Sequence, residues 1–135
     1  MHALAIRVME GESIAEGTAL AILVTDDEAI RVLNRQFRGI DAPTDVLSFP
    51  DEAGDFVQGA ADEPLLGDIA IGLGTAARQA ADGNRALDAE IAHLLTHGIL
   101  HLCGYDHELG DEEEARMRAR EEHYLGDLGA FHRHE

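Results

Sequence analysis

Three histidines in one short stretch, His97, His101 and His107, have the residue type and the spacing to hold a metal ion. His97 and His101 are four residues apart, so an α-helix would stack them on one face, one turn apart. Two imidazoles at that separation can reach one ion, with metal–nitrogen distances of about 2.0–2.1 Å. Gly104 can end the helix in a left-handed conformation, so that His107 approaches from another direction. The stretch therefore predicts a three-histidine zinc site with one open coordination position, as in catalytic zinc sites.

The same histidine spacing occurs in the metzincin proteases, which carry a glutamate general base directly after the first histidine. Here that position is Gly98. The metal ligands of such a protease are present and its base is absent, so local chemistry predicts a zinc hydrolase that activates water in another way. Cys103 is a conceivable fourth ligand, but we expect a small buried side chain that points elsewhere.

The composition fits one folded domain over residues 1–135, with 45% hydrophobic residues and a core of Ala, Leu, Ile and Val. A single cysteine excludes an internal disulfide and is consistent with a reducing cytoplasm. We find no signal peptide and no apolar run that could cross a membrane, and expect a soluble cytoplasmic protein. The net charge of −17 disfavours nucleic acid, because phosphate contacts need Lys and Arg. A phosphate ligand would need a few local cations and the metal.

The elements that must position the histidines alternate between strands and helices. Apolar runs bounded by turn residues predict strands over residues 20–25, 44–49 and 65–72. Residues 3–9 fit either a strand or a helix, and residues 51–64 predict a surface loop. We expect a helix over residues 26–37, capped by Thr25 or Asp26 and with Ile30, Leu33 and Phe37 inward, and a helix over 75–82 capped by Thr75. The helix that carries the histidines should begin near residue 86 and end by Gly104, and a solvated helix should follow over 108–124. These elements predict a single α+β domain with a small mixed sheet.

Three blocks of this sequence resemble the YbeY family of bacterial endoribonucleases. They are the histidine stretch HGILHLCGYDH at 97–107, TDVLSFP at 44–50 and LGDI at 66–69, and the resemblance extends over about residues 20–122. It implies an α+β fold with a mixed sheet of about four strands and about five helices. The chain starts late relative to the family pattern, so we expect the first strand to be missing or shortened.

The resemblance implies metal-dependent, single-strand-specific RNA cleavage in small-subunit ribosomal RNA maturation and ribosome quality control. It implies one zinc ion per chain, held by His97, His101 and His107, and it matches Arg38 to an invariant arginine in the metal cleft. A guanidinium can grip phosphate oxygens in a bidentate manner. Zinc would lower the pKa of bound water and polarise a phosphoryl oxygen, and either water or a ribose 2′-hydroxyl could be the nucleophile. The alternative for Arg38 is a salt bridge to Asp41 or Asp45.

Four further residues are candidates for the surroundings of the site. Asp68, on a strand, could orient a ligand histidine or contact substrate, or could simply cap a turn. Asp106 could accept a hydrogen bond from an imidazole or cap the turn that holds it. Ser48 alternates with Leu47 and Phe49 and should face the opposite side of the sheet, toward the cleft. For His93, one turn before His97, we expect a hydrogen-bonded role, because a fourth ligand would close the metal site.

Two other functions remain open at this point. A metallopeptidase would need a carboxylate near the metal, and Asp68 and Asp106 are its candidates. A non-catalytic ribosome-assembly factor would use zinc structurally and bind a ribosomal protein or an assembly GTPase. The acidic composition favours such basic protein partners.

Overall fold

The computed structural model describes residues 2–50, 65–105 and 110–126. Over these ranges the chain forms five helices and three strands. They are α1 (His2–Gly11), β1 (Ala19–Thr25), α2 (Asp27–Arg38), β2 (Val46–Pro50), β3 (Leu65–Gly72), α3 (Leu73–Asp82), α4 (Leu87–Leu102) and α5 (Asp111–Leu125). The α+β class is confirmed, and the three predicted strands all form. Within the described residues, none of the helices is long and apolar enough to span a lipid bilayer.

The sheet has the strand order β1-β3-β2, with β1 parallel and β2 antiparallel to the central strand β3. The described part of the chain therefore has three strands, one fewer than the expected four or so. The undecided stretch at residues 3–9 belongs to helix α1. Ala5 and Val8 are three residues apart, so they lie on one face of that helix and are both buried in the core.

Helices cover both faces of the sheet, because successive side chains of β3 point to opposite sides. Ile69 and Ile71 join the larger core with Leu95 and Ile99 of α4. Ala70 lies between them in sequence and packs on the other face, in a smaller core with Ile30 of α2. The histidine helix α4 and helix α2 are therefore separated by the sheet.

Of the two predicted caps of helix α2, Thr25 and Asp26, the structure uses Asp26: its carboxylate accepts a hydrogen bond from the Ala29 N–H at 2.8 Å. The prediction that Thr75 caps the next helix is wrong. Helix α3 begins at Leu73, and the N–H and hydroxyl of Thr75 donate to Asp27 at 3.1 Å and 3.0 Å. A carboxylate from α2 thus satisfies the start of α3, which a local cap signal cannot reveal.

The prediction that Phe37 points inward is wrong. Its side chain is 59% exposed, whereas Ile30, two turns earlier, is fully buried as predicted. Phe37 lies in the last turn of α2, and its ring centroid is 5.0 Å from that of Phe49 on β2. The periodicity placed Phe37 on the helix face that meets the sheet, but its position at the end of the helix leaves much of the ring exposed.

Candidate metal and phosphate site

His97 on α4 and Glu121 on α5 form the best-defined polar contact of the histidine region. Nδ1 of His97 lies 2.7 Å from Oε2 of Glu121, and Nε2 of His93 lies 3.5 Å from the other carboxylate oxygen. Glu121 is only 7% exposed, so its charge is removed from solvent. The carboxylate therefore joins two histidines on successive turns of one helix to a buried position on another.

Glu121 is ionised in this setting. Burial alone would raise the pKa of Glu121, but hydrogen bonds from His93 and His97 outweigh it and lower the pKa to about 2. An ionised carboxylate only accepts hydrogen bonds, so Nδ1 of His97 must carry the hydrogen. In the neutral imidazole, the lone pair is then on Nε2. This is the tautomer that a metal-binding histidine adopts when a carboxylate orients it.

The structure describes two of the three predicted zinc ligands, His97 and His101. The His97 side chain is 30% exposed, and His101, one turn later, is half-buried. Helix α4 ends at Leu102 and Gly104 has a φ of 106°, in agreement with the predicted glycine turn. His107 and Asp106 lie outside the described residues. Among the described residues no three His, Cys, Asp or Glu side chains form a metal-binding group, so the three-histidine site stays a prediction.

Arg38 is the last residue of α2, and its side chain is exposed. The alternative of a salt bridge to Asp41 or Asp45 is wrong. Asp41 pairs with Arg31, and Asp45 accepts a hydrogen bond from the Val46 N–H at 2.7 Å. Within the described ranges, no carboxylate lies within salt-bridge distance of Arg38. Its guanidinium is thus available to an anion.

Helices α2 and α4 reach the same end of the sheet from opposite faces. On the α2 face, Phe37 packs on Phe49, next to the end of β2. On the α4 face, a side chain at Gly67 would approach Leu102 at 3.0 Å and the Phe49 carbonyl oxygen at 2.5 Å. Gly67 also has a φ of 157°, so only glycine fits easily there. The end of β2 therefore lies between the last turn of α2, which carries Arg38, and the last turn of α4.

The remaining candidates lie on different sides of the sheet. Ser48 faces α4 as predicted, and its hydroxyl donates to the Gly98 carbonyl at 3.4 Å. Asp68 is exposed and has the same strand parity as Ala70, which places it on the α2 face, away from His93 and His97. Asp68 therefore does not orient either of these two histidines, and the carboxylate that contacts them is Glu121.

The position of a metzincin-type base is tightly packed here. Gly98 is buried against the sheet, where an added Cβ would lie 3.1 Å from side-chain atoms of both Ile69 and Ser48. A larger side chain at this position would require these neighbours to shift. Cys103 is half-buried, and burial together with the charge of Glu12 raises its thiol pKa to about 11. Without a bound metal the thiol is therefore protonated at neutral pH.

Glu121 is the residue that sequence reasoning missed. We expected the acidic run of the last helix to be solvated, but Glu121 is buried with Met117 and Tyr124 of α5. The spacing of these three residues, at i, i+4 and i+7, is the apolar spacing of a helix face. A glutamate at an otherwise apolar, buried position of a helix indicates that its carboxylate has a specific partner.

Comparison with known proteins gives a consistent family assignment. A family model described as Endoribonuclease YbeY matches residues 1–129. Among curated proteins, Endoribonuclease YbeY of Pelotomaculum thermopropionicum is 46% identical over 121 residues, which cover 90% of this chain and 79% of that protein. Endoribonuclease YbeY of Chloroflexus aurantiacus is 49% identical over 128 residues, or 93% and 82% of the two chains.

The fold agrees with a solved structure. The solution structure of TM1509 from Thermotoga maritima has a TM-score of 0.64 and 27% sequence identity to this chain. The match covers 98% of this chain and 81% of that one. The sequence and structure matches both extend over nearly the whole chain, and together they confirm that it belongs to the YbeY family.

Proposed function

We propose that this protein is a zinc-dependent endoribonuclease that cleaves single-stranded RNA during maturation and quality control of the small ribosomal subunit. The curated relatives described above are named as endoribonucleases, which are enzymes that hydrolyse RNA phosphodiester bonds. The observation that carries the zinc assignment is the 2.7 Å contact between His97 and the buried Glu121. It prepares the imidazole for metal binding, one helical turn from a second histidine.

The proposed zinc ligands are His97, His101 and His107. Glu121 holds the ring of His97, and His93 contributes a second contact to the same carboxylate. Three protein ligands would leave one coordination position for water or substrate. When bound, zinc supplies a Lewis acid that polarises a phosphoryl oxygen and lowers the pKa of bound water.

Arg38 is the proposed phosphate-binding residue. Its guanidinium can donate two parallel hydrogen bonds to phosphate oxygens and stabilise the negative charge that develops during cleavage. This local cation is important because the chain carries a net charge of −17, which repels RNA at long range. We propose that Arg38 and the metal hold the scissile phosphate together, with small-subunit ribosomal RNA as the substrate in the cytoplasm.

The test is cleavage of an unstructured RNA oligonucleotide by the wild type, Arg38→Ala and Arg118→Ala, all loaded with zinc. Arg118 is a matched control because it is an exposed arginine on α5, paired with Glu114 at 3.9 Å. We expect Arg38→Ala to be at least tenfold slower than wild type, a loss of about 1.4 kcal/mol of transition-state stabilisation. Arg118→Ala should cleave at the wild-type rate, and chelation of zinc should stop cleavage until zinc is restored.

Two outcomes would contradict the proposal. Equal cleavage by all three proteins would mean that the activity does not come from this site. A wild type that binds zinc and leaves RNA intact would favour the assembly-factor alternative, in which the acidic surface binds a basic ribosomal protein or an assembly GTPase. In that case, His101→Ala should lower the free energy of unfolding without changing any cleavage rate.

A further inference from the structure

An apolar groove of about 740 Å³ lies on the α2 face of the sheet. Its walls include Phe37 and Leu33 from α2 and Phe49 from β2, and its floor is formed by β1 and β3. The side chains at its opening are unusually exposed for apolar residues: Phe37 is 59% and Leu23 is 52% exposed. An exposed apolar surface that contains an aromatic ring is typical of a binding site.

The unpaired positive charge of the described chain lies on the helix that forms one wall of this groove. All ten cationic side chains are arginines, and nine of them fall in the described ranges. Seven of the nine pair with a carboxylate or donate to a carbonyl; these are Arg7, Arg31, Arg78, Arg85, Arg116, Arg118 and Arg120. The two without such a partner among the described residues, Arg35 and Arg38, both lie in the last turn of α2. Arg38 follows Phe37 directly, whereas Arg35, two residues before Phe37, projects from the other side of the helix.

The groove reaches the end of the sheet where the histidine helix also ends. Gly67 and Phe49 line the groove, and Leu102 of α4 approaches the same Gly67 from the other face. A ligand that passes over this end of the sheet could therefore contact the groove, Arg38 and the last turn of α4 in succession. An extended polymer has this shape.

We propose that the groove receives an unstacked nucleobase of single-stranded RNA, which packs on Phe37 while Arg38 binds a flanking phosphate. This inference rests on the proposed ribonuclease function and adds a substrate-binding subsite to it. Single strands are recognised by aromatic rings that stack on bases, next to cations that follow the backbone. An uncharged apolar peptide would use the groove but not the guanidinium of Arg38.

Substitution of Phe37 distinguishes a role in RNA binding from a role in folding, because the exposed ring contributes little to the core. We would measure anisotropy of a labelled 2′-O-methyl oligonucleotide with zinc-loaded wild type, Phe37→Ala, Phe37→Tyr and Leu87→Ala. Leu87 is a control, since it is an apolar residue at the start of α4 that is 37% exposed. Phe37→Ala should raise Kd about fivefold to fiftyfold. Phe37→Tyr keeps the stacking surface and should bind like wild type, as should Leu87→Ala.

An abasic scan of the oligonucleotide identifies the base. Removing the base that enters the groove should weaken binding to the wild type and have no further effect on Phe37→Ala. If Phe37→Ala binds like wild type, or if every abasic position affects both proteins equally, the proposal is wrong. A change of oligomeric state in Phe37→Ala, measured by sedimentation, would instead assign the groove to a contact between two copies and would also overturn it.

Failure of the subsite and failure of the nuclease proposal give different results. If wild type cleaves RNA and Phe37→Ala cleaves and binds equally well, the nuclease function stands and the subsite is wrong. If wild type binds RNA in a Phe37-dependent manner and does not cleave, the subsite stands and the nuclease proposal is wrong.

Discussion

His97 of α4 and Glu121 of α5 are 24 residues apart in sequence, yet Nδ1 of His97 lies 2.7 Å from the Glu121 carboxylate. The orientation of a candidate metal ligand therefore depends on how these two helices pack. The same carboxylate is 3.5 Å from Nε2 of His93, so histidines on two successive turns of α4 contact one side chain of α5. A change in the packing of α5 should accordingly change the orientation of the His97 ring.

Glu121→Gln should weaken zinc binding by about 10–100-fold, because the amide keeps the shape of the side chain but not its charge, and it orients His97 less firmly. Competition with a chromogenic chelator measures this affinity. Glu114→Gln is the control, since Glu114 is an exposed acid on the same helix. Equal zinc affinity of both variants would show that Glu121 does not orient the ligand.

Glu12 should make the stability of the fold depend on acid pH. Its side chain is 7% exposed and accepts hydrogen bonds from Tyr105 at 2.9 Å and from Arg120 at 2.7 Å, and also from Tyr124. Burial alone would raise the pKa of Glu12, but these hydrogen bonds lower it below its usual value of 4.5. The folded state therefore binds this proton less readily than the unfolded state. The stabilisation is complete above pH 4.5 and is lost as the pH falls toward the folded-state pKa.

Glu12→Gln should lower the free energy of unfolding at neutral pH by about 1–3 kcal/mol, since it weakens a buried charge-assisted network. Its stability should then vary less with pH in the acid range than that of the wild type. Urea denaturation at a series of pH values measures both effects, with Glu16→Gln, at an exposed site, as the control. Parallel profiles for wild type and Glu12→Gln would contradict this account.

Gly98→Ala should destabilise the protein even though alanine favours helices. The added Cβ would lie 3.1 Å from Ile69 and Ser48, closer than ordinary contact, and both neighbours belong to the buried sheet. Overpacking costs about 1–3 kcal/mol, whereas replacing glycine in a helix gains about 1 kcal/mol. We expect a net loss of about 1 kcal/mol in thermal or urea unfolding. An increase in stability would mean that the sheet yields to the methyl group.

Asn34 should support the position of Arg38, one turn later on α2. Asn34 is 3% exposed, and its side-chain amide donates to the Ala42 carbonyl at 2.8 Å, across the loop that follows Arg38. Asn34→Ala removes this connection and should cost about 1–3 kcal/mol of stability. It should also slow RNA cleavage when Arg38 is present, and have little additional effect in an Arg38→Ala background. Additive effects of the two substitutions would argue against coupling.

Local patterns in the sequence determined most of the secondary structure and the family, although they left residues 3–9, which form α1, undecided. Alternating and clustered apolar residues located β1 and β3, the Asp26 cap located the start of α2, and the spacing of His97 and His101 placed them on one helix face. These features depend on residues close together in the chain, so they can be predicted from the sequence alone. The family resemblance could be recognised for the same reason, since its motifs are short contiguous blocks.

Only the tertiary structure decided which polar groups meet. It buried Glu121 against His97, assigned Asp41 to Arg31 so that Arg38 stays available, and left Phe37 exposed at the end of the sheet. Each of these outcomes depends on where an element ends and on what packs across from it. A residue's type and local period give its helix face but not the neighbour that the face will meet, because that neighbour is brought in from a distant part of the chain by packing of the core.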